Sequence, residues 1–332
     1  MAWNRVLRVN DPLLCRTALV GSDVEILPTA KGLFAADITQ VGLNRLRLAR
    51  YQLSLPHVSS VTLDPDRRII GFLTESGSLR YCGRKISLGD IIINKPDAAH
   101  QVSASSLSGG AMSLPVDDLH AAAEAVVGRG LSKTLEKLVI RPDSALVSRL
   151  VKLHRAVAQL ARETPELLDL AEVCRALEEQ LIHLMVRCLT EGAGSEIKAG
   201  DRRHSAVITR FEEFLEANPD RAIYLTELCA AIGVAERTLR AACEEHMGMG
   251  PIRFLTLRRM HLVRRALLNA RPSDATVTHI VTDHGFWELG RFSVAYRALF
   301  EESPLETLRR PAEQMPIRLN RPSSLAAAEA AE

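Results

Sequence analysis

The feature that most constrains this 332-residue chain is a helical pattern that occurs twice in its last third. In each copy, apolar residues recur at three- and four-residue spacing, a glycine follows, and a second short helical pattern begins. The two glycines, Gly233 and Gly285, lie 52 positions apart. A helix, a tight turn that contains glycine and another helix together make a helix-turn-helix unit. The sequence therefore predicts two such units in tandem within residues 205–310.

One long helix is predicted between the two units, over Pro251–Asn269. Proline suits the first turn of a helix, where its missing N–H would have no partner anyway. No acidic residue occurs from His246 to Ser273. Six arginines fall in that window: Arg253, Arg258, Arg259, Arg264, Arg265 and Arg271. Contact with phosphate groups requires a local basic surface of this kind.

Four short segments give the pattern a detailed signature: Ala231–Leu239, Gly250–Leu255, Gly290–Ser293 and Ser303–Pro304. Through them, the last third of the chain resembles the C-terminal DNA-binding domain of AraC/XylS-type transcription regulators. Two positions depart from the family. Ala235 stands where a serine often caps the first recognition helix, so a side-chain acceptor worth roughly 1 kcal/mol is lost. Glu301 stands where the family usually has glycine, which leaves the usual turn geometry there open.

The resemblance implies that double-stranded DNA is the partner and that the second helix of each unit lies in a major groove. We expect Leu239 and Cys243 to face the core in the first unit, and Phe292 and Tyr296 in the second. The residues predicted to contact DNA are Glu236, Arg237, Thr238, Arg240, Ala241, Arg258, Arg259, Leu289, Gly290, Arg291 and Val294.

The two units are expected to contribute unequally. Arg237 and Arg240 are i, i+3 neighbours, and arginine pairs bidentately with guanine O6 and N7. The alternative is that they contact phosphates or only pair with nearby glutamates. In the second unit Arg291 is the only clear candidate for reading a base, so the first unit should give most of the specificity. The long helix, roughly 27 Å at 1.5 Å per residue, would hold the two recognition helices about one DNA turn apart.

The N-terminal half is predicted to be a β domain. From Leu43 to about Val102, short apolar runs alternate with Gly and Asp turns, which is typical of a sandwich or small barrel. A change of phase between Leu48 and Ala49 predicts a bulge. The segment resembles the cupin-like effector domain that precedes the DNA-binding part of many AraC-type regulators, most clearly at Leu88-Gly89-Asp90.

Two amphipathic helices are predicted within residues 144–190, the first capped by Ser144 and the second opened near Pro165. Two roles are open to these helices. They cover the barrel, or they form a homodimer interface, which is what the corresponding helices do in the resembled family. The long apolar stripe of the second helix favours the dimer. The predicted fold class is thus α+β with two domains: a cupin-like β-barrel with a helical dimerisation hairpin (1–190), a linker (191–204), an all-α tandem helix-turn-helix domain (205–310) and a disordered tail (311–332).

A small-molecule effector is expected inside the barrel, with Tyr51, Phe72, Tyr81 and His100 as candidate lining residues. Ordinary core packing is the alternative for each of them. Cupin enzymes hold a metal through a His-x-His pair, which this chain lacks, so no metal and no cofactor are expected. A cupin-type enzyme fused to a DNA-binding module is therefore the weaker alternative. An architectural DNA binder without an effector would not need so large a β domain.

Composition adds only broad limits. The net charge of +2 gives no overall nucleic-acid signal, and 4% aromatic residues argue against base stacking as the main binding mode. Six cysteines without CxxC spacing, no signal peptide and no long apolar run predict a cytoplasmic protein without membrane association. The resemblance further implies a ligand-responsive activator that works with RNA polymerase.

Overall fold

The structure is a computed structural model that describes residues 2–17, 22–94, 99–194, 199–218 and 221–310. The predicted tail and residues 195–198 of the predicted linker lie outside these ranges. The N-terminal strands are β1 (Trp3–Val9), β2 (Ser22–Pro28), β3 (Ala36–Gly42), β4 (Arg47–Leu53), β5 (His57–Leu63), β6 (Arg67–Leu73), β7 (Leu79–Tyr81), β8 (Arg84–Ile86), β9 (Ile91–Asn94), β10 (Ala99–Ser103), β11 (Leu107–Pro115), β12 (Val139–Arg141) and β13 (Ala193–Gly194).

These strands form two antiparallel sheets that pack face to face. The larger sheet has the order β1-β3-β4-β11-β6-β9-β12-β13, and the smaller has the order β2-β5-β10-β7-β8. Side chains such as Ile38, Leu53 and Leu107 of the larger sheet meet Val24 and Ile26 of the smaller one in a shared core. The β domain was predicted correctly, but the sheets are open rather than closed into a barrel.

The bulge predicted near Leu48 is absent. Strand β4 pairs without interruption with β3 from Arg47 to Leu53, and with β11 over the same residues. Both faces of this strand are covered, because helices lie against one face and the smaller sheet against the other. A strand covered on both faces carries apolar residues on both, so the apparent change of phase did not mark an extra residue.

Helices α1 (Val116–Val127), α2 (Ser132–Leu135), α3 (Ser144–Glu163) and α4 (Ala171–Glu191) follow the strands. A 3-10 turn, Pro165–Asp169, lies between α3 and α4, so the second helix of the predicted pair begins at Ala171 and not near Pro165. The cap of α3 is Asp143 rather than Ser144, since the Asp143 carboxylate accepts from the backbone N–H groups of Ala145 and Leu146.

The apolar stripe of α4 is used inside the chain. Leu181, Met185 and Leu189 are fully buried against α3 and the outer face of the larger sheet. Glu178, also buried on α4, accepts from the backbone N–H groups of Arg45 and Leu46 and so ties the helix to the loop before β4. The stripe is therefore explained by packing within one copy, and the predicted homodimer loses the observation that favoured it.

The C-terminal domain consists of α5 (Ala199–Glu216), α6 (Leu225–Ile232), α7 (Glu236–Met247), α8 (Pro251–Asn269), α9 (Val277–Asp283), α10 (Leu289–Phe300) and α11 (Pro304–Leu308). It has two small cores. The first half of α8 supplies Phe254 and Leu255 to the core of α5–α7, and the second half supplies Val263 and Leu267 to the core of α9–α11. The bounds of α8 agree with the prediction, and this helix joins the two cores.

Within the described residues, no helix is long and apolar enough to cross a membrane.

Candidate DNA-binding surface and interior cavity

Helices α6 and α7 form the first helix-turn-helix unit. Gly233 ends α6 with a φ of +67°, a left-handed conformation that glycine adopts without a steric penalty. Ala235 then starts α7 without a side-chain cap. Leu239 and Cys243 face the core and are fully buried. The opposite face is exposed and carries all five residues predicted to contact DNA there: Glu236, Arg237, Thr238, Arg240 and Ala241.

The two arginines of this face differ in their surroundings. Arg240 donates to the Glu236 carboxylate at 2.6 Å, an i, i+4 pair along the helix. Arg237 is exposed and has no side-chain partner among the described residues. An exposed guanidinium without a partner can engage a base edge or a phosphate without first breaking an ion pair. Arg237 is therefore the better placed of the two.

Helices α9 and α10 form the second unit. Gly285 lies in the turn with a φ of +76°, and a Cβ there would come within 2.5 Å of the Tyr224 hydroxyl. Phe292 and Tyr296 face the core, as predicted. The exposed face of α10 carries Leu289, Gly290, Arg291 and Val294.

This second face is largely apolar. Val294 is 72% exposed, and Trp287 in the preceding turn is 76% exposed. Arg291 is paired with Glu288 at 2.7 Å. The sequence interpretation overlooked Trp287. A tryptophan between the turn glycine and the second recognition helix, outside the apolar spacing of either helix, was the signal that pointed to it. Such a face offers van der Waals contact, for which the thymine methyl group is the matching feature of the major groove.

Arg258 is not part of the exposed surface, contrary to the prediction. It is buried, and its guanidinium donates to the carbonyl oxygen of Leu215 in the last turn of α5 and to those of Asn218 and Arg221 beyond that helix. Carbonyl oxygens at a helix end lack intrahelical partners, so a nearby cation stabilises them. The side chain connects α8 to α5 and is unavailable to DNA.

Arg259 is also held by internal contacts. Its guanidinium lies over the rings of Tyr224 and Phe286, 5.4 and 5.0 Å from their centroids, and donates to the carbonyl oxygen of Gly285. The side chain thus fastens the turn of the second unit to the start of α6 in the first. The predicted basic window is correspondingly less basic at the surface, since Arg264 is buried as well.

An interior cavity of about 110 Å³ lies between the two sheets. Tyr51, one of the four residues proposed to line an effector site, is among its lining residues. Phe72 and Tyr81 are not among its lining residues, and their side chains pack in the two cores of the β domain. The side chain of His100 lies outside the part of the structure that is described. Gln40, Arg47, His57 and Asn94 also line the cavity and were not predicted.

The smaller sheet is a shared wall between this cavity and the C-terminal domain. Ile26 and Ser59 line the cavity, whereas their neighbours Leu27 and Val58 pack into the core of α5–α7. On β10, Val102 packs against that same core. The alternation follows from strand geometry, in which successive side chains point to opposite faces. One layer of backbone therefore separates the cavity from the domain that carries α7.

A buried ion pair adds a second connection. Asp11 directly precedes a 3-10 helix, Pro12–Thr17, whose Cys15 lines the cavity. The Asp11 carboxylate lies 3.3 Å from the Arg264 guanidinium of α8. Both side chains are almost fully buried, and Arg264 also contacts Glu302. Buried charges of this kind require their partners, so separating the two domains would break this ion pair and leave Arg264 with Glu302.

Among the described residues, no group of three or more His, Cys, Asp or Glu side chains is arranged to hold a metal ion.

These features define a class of protein: a tandem helix-turn-helix domain that follows a two-sheet domain with an interior cavity. Residues 228–310 match a family model described as a helix-turn-helix domain. XylDLEGF operon transcriptional activator 2 of Pseudomonas putida is 34% identical over 99 residues, which are 30% of this chain and 63% of that protein. A probable thc operon regulatory protein of Rhodococcus erythropolis is 34% identical over 97 residues, 29% of each chain.

A solved structure extends the comparison. A probable AraC family transcriptional regulator from Rhodopseudomonas palustris CGA009 is 34% identical to this chain, with a TM-score of 0.28. The likeness covers 32% of this chain and 98% of that one. The chain belongs to the AraC/XylS family of transcription regulators, and the resemblance noted in its sequence is confirmed. It spans less than two thirds of the curated relatives' length. The family model matches residues 228–310, within the C-terminal domain.

Proposed function

We propose that this protein is a sequence-specific DNA-binding transcription regulator, with α7 and α10 in adjacent major grooves of the operator. The observation that carries the proposal is the exposed, polar outer face of α7, on which Arg237 has no side-chain partner among the described residues. Recognition helices of this kind read bases through a few long polar side chains, which lie on the face opposite the buried apolar one. In this proposal Arg237 reads a base, and Leu289, Gly290, Arg291 and Val294 form the second contact.

We also propose that a small molecule in the interior cavity regulates DNA binding. What supports this is the shared wall, since Leu27, Val58 and Val102 touch the α5–α7 core from the back of the strands that line the cavity. A molecule that spreads or draws together these strands would shift the surface on which the end of α7 rests. Transcriptional activation, a homodimer, contact with RNA polymerase and a cytoplasmic location belong to the proposal by family resemblance.

Selection of DNA fragments by the purified full-length protein, followed by sequencing, tests the first proposal. The protein should enrich one operator sequence, and Arg237→Ala should relax the preference at one or two base pairs at a cost of about 1–3 kcal/mol. Arg175→Ala, which removes an exposed arginine from α4, serves as the matched control. If the wild-type protein enriches no sequence, the proposal fails. If Arg237→Ala weakens binding equally to all sequences, Arg237 contacts a phosphate.

A further inference from the structure

The size of the interior cavity limits what it can hold. Its volume is about 110 Å³, and most of its lining is apolar, with Val24, Ile26, Ile38 and Leu107 among the side chains. A dry apolar cavity of about 150 Å³ accepts benzene, which has six heavy atoms. The cavity here therefore has room for a molecule of about six heavy atoms.

Three polar side chains in the lining have an atom without a hydrogen-bond partner. They are Gln40 (3% exposed), His57 (0%) and Asn94 (7%), and the atoms are Oε1, Nε2 and Oδ1 respectively. A buried polar atom left without a partner costs about 1–3 kcal/mol. These three groups converge on one cavity, which indicates an occupant that satisfies them.

The protonation state of His57 determines which hydrogen bond it can form with a bound molecule. Its Nδ1 lies 2.8 Å from the carbonyl oxygen of Leu55, so Nδ1 carries the proton and donates. Burial lowers the pKa of His57, which keeps the ring neutral. Nε2 then presents a lone pair and accepts. The side-chain oxygens of Gln40 and Asn94 have no hydrogen-bond partner and can accept from a bound molecule.

One cation lies beside these acceptors. Strand pairing places Arg47, Ser113, Ile69 and Asn94 in one row across β4, β11, β6 and β9. Arg47 is half-buried, lines the cavity and has no side-chain partner in the described part of the chain. Its guanidinium can donate to an oxygen of the occupant. A carboxylate would suit Arg47 but would bring its charge toward the acceptor atoms of Asn94 and Gln40, whereas a neutral head that also donates suits both.

From this arrangement we infer that the cavity binds a small neutral molecule, of about six heavy atoms, whose polar head both accepts and donates hydrogen bonds, as a primary amide or an alcohol does. The head accepts from Arg47 and donates to Gln40, His57 or Asn94, and the apolar body lies among the aliphatic side chains. This inference rests on the proposed function in one respect, because the bound molecule would be the effector.

Isobutyramide and isobutyrate test the inference, since they share shape and size and differ in charge and in donor groups. Calorimetry with the full-length protein, in the absence of DNA, should show isobutyramide binding at least about tenfold more tightly than isobutyrate. Gln40→Leu and Asn94→Leu should each weaken isobutyramide binding by about tenfold, the loss expected for one buried hydrogen bond. Gln52→Leu makes the same change at an exposed position of β4 and should have no effect.

Three results would overturn the inference: no binding of isobutyramide, tighter binding of isobutyrate that Arg47→Met abolishes, or equal losses from Gln52→Leu and Gln40→Leu. The proposed function is tested separately. A protein that selects an operator but binds neither probe contradicts only the inference, whereas a protein that binds isobutyramide but selects no DNA sequence contradicts only the proposed function.

Discussion

Glu301 adopts a backbone conformation that normally favours glycine, and this conformation destabilises the folded protein. It ends α10 with a φ of +58°, the left-handed conformation in which glycine is usual. A residue with a side chain destabilises the folded state by about 1–2 kcal/mol when it adopts this conformation. Glycine would remove that strain, but part of the gain would be lost because an unfolded chain with glycine has more conformational freedom. The sequence identified the substitution correctly but left the geometry open, and the structure retains the turn with the strained residue.

Glu301→Gly should therefore raise the free energy of unfolding by roughly 0.5–1 kcal/mol, measured by urea denaturation. Glu302→Gly is the control next to it. Glu302 contacts Arg264 and Arg310, so its replacement should lower stability. A decrease for Glu301→Gly would show that its carboxylate has a role beyond the turn.

Glu212 predicts a pH dependence. Burial on α5, with smaller contributions from the charges of Glu216 and Glu213, raises the pKa of this carboxyl to about 9. A carboxyl whose pKa is raised on folding favours the folded state below its ordinary pKa of 4.5, and that advantage is lost as the pH rises toward 9. The loss amounts to roughly 1.4 kcal/mol per pH unit across this window.

Glu212→Gln should remove this dependence. Thermal unfolding at pH 5 should give similar midpoints for the variant and the wild type, and the variant should be the more stable by pH 8. Glu213→Gln changes an exposed neighbour on the same helix and should leave the wild-type slope intact. An unchanged slope in Glu212→Gln would mean that this carboxyl is ionised in the folded protein at neutral pH.

At the scale of elements, α8 was the most predictable and β4 among the least. Proline at the first turn and an unbroken apolar pattern define α8 locally, so its bounds followed from the sequence. The alternation in β4 was misread because two different layers cover its faces, and only the assembled domain reveals that. The apolar stripe of α4 was ambiguous for the same reason, because the sequence pattern fits a dimer interface as well as packing within one chain.

The contact between β10 and the end of α7 predicts how the two domains communicate. The nearest Val102 methyl would lie 3.5 Å from a Cβ placed on Gly248, directly after α7. Val102→Asp should disrupt this packing and speed hydrogen exchange in the last turn of α7, residues 243–247. Thr62→Asp adds the same charge to an exposed position of the smaller sheet and should leave that exchange unchanged. Slow exchange in both variants would mean that α7 is ordered without the sheet.

At the scale of the whole molecule, the spacing of α7 and α10 predicts the shape of the DNA contact. If α8 holds them about one DNA turn apart, each copy should protect two patches separated by about 10 base pairs. Hydroxyl-radical footprinting of the full-length protein on its selected operator measures this. Val294→Asp, which places a negative charge on the exposed face of α10, should erase one patch and keep the other. A single patch per wild-type copy would contradict the arrangement.

The candidate site was predictable where spacing alone decides exposure. Leu239 and Cys243 lie four apart on α7, so the outward position of Arg237 and Arg240 followed at once. The prediction was wrong for Arg258 and missed the internal contacts of Arg259, because a run of arginines does not reveal which guanidinium meets a helix end or an aromatic ring. Those partners, such as Asn218 and Phe286, lie about 27 to 40 residues away in the sequence.

What the sequence by itself determined was local: the two glycine turns, the long connecting helix, the faces of the recognition helices and the family. These depend on residue spacing and on backbone preferences, which act within a few residues of each other. The tertiary structure alone decided which arginines are buried, that the β domain is two open sheets, and that one sheet has the cavity on one face and the DNA-binding domain on the other. Burial and ion pairing depend on groups that folding brings together from distant positions in the sequence. The spacing of residues along the chain therefore does not indicate which groups will meet.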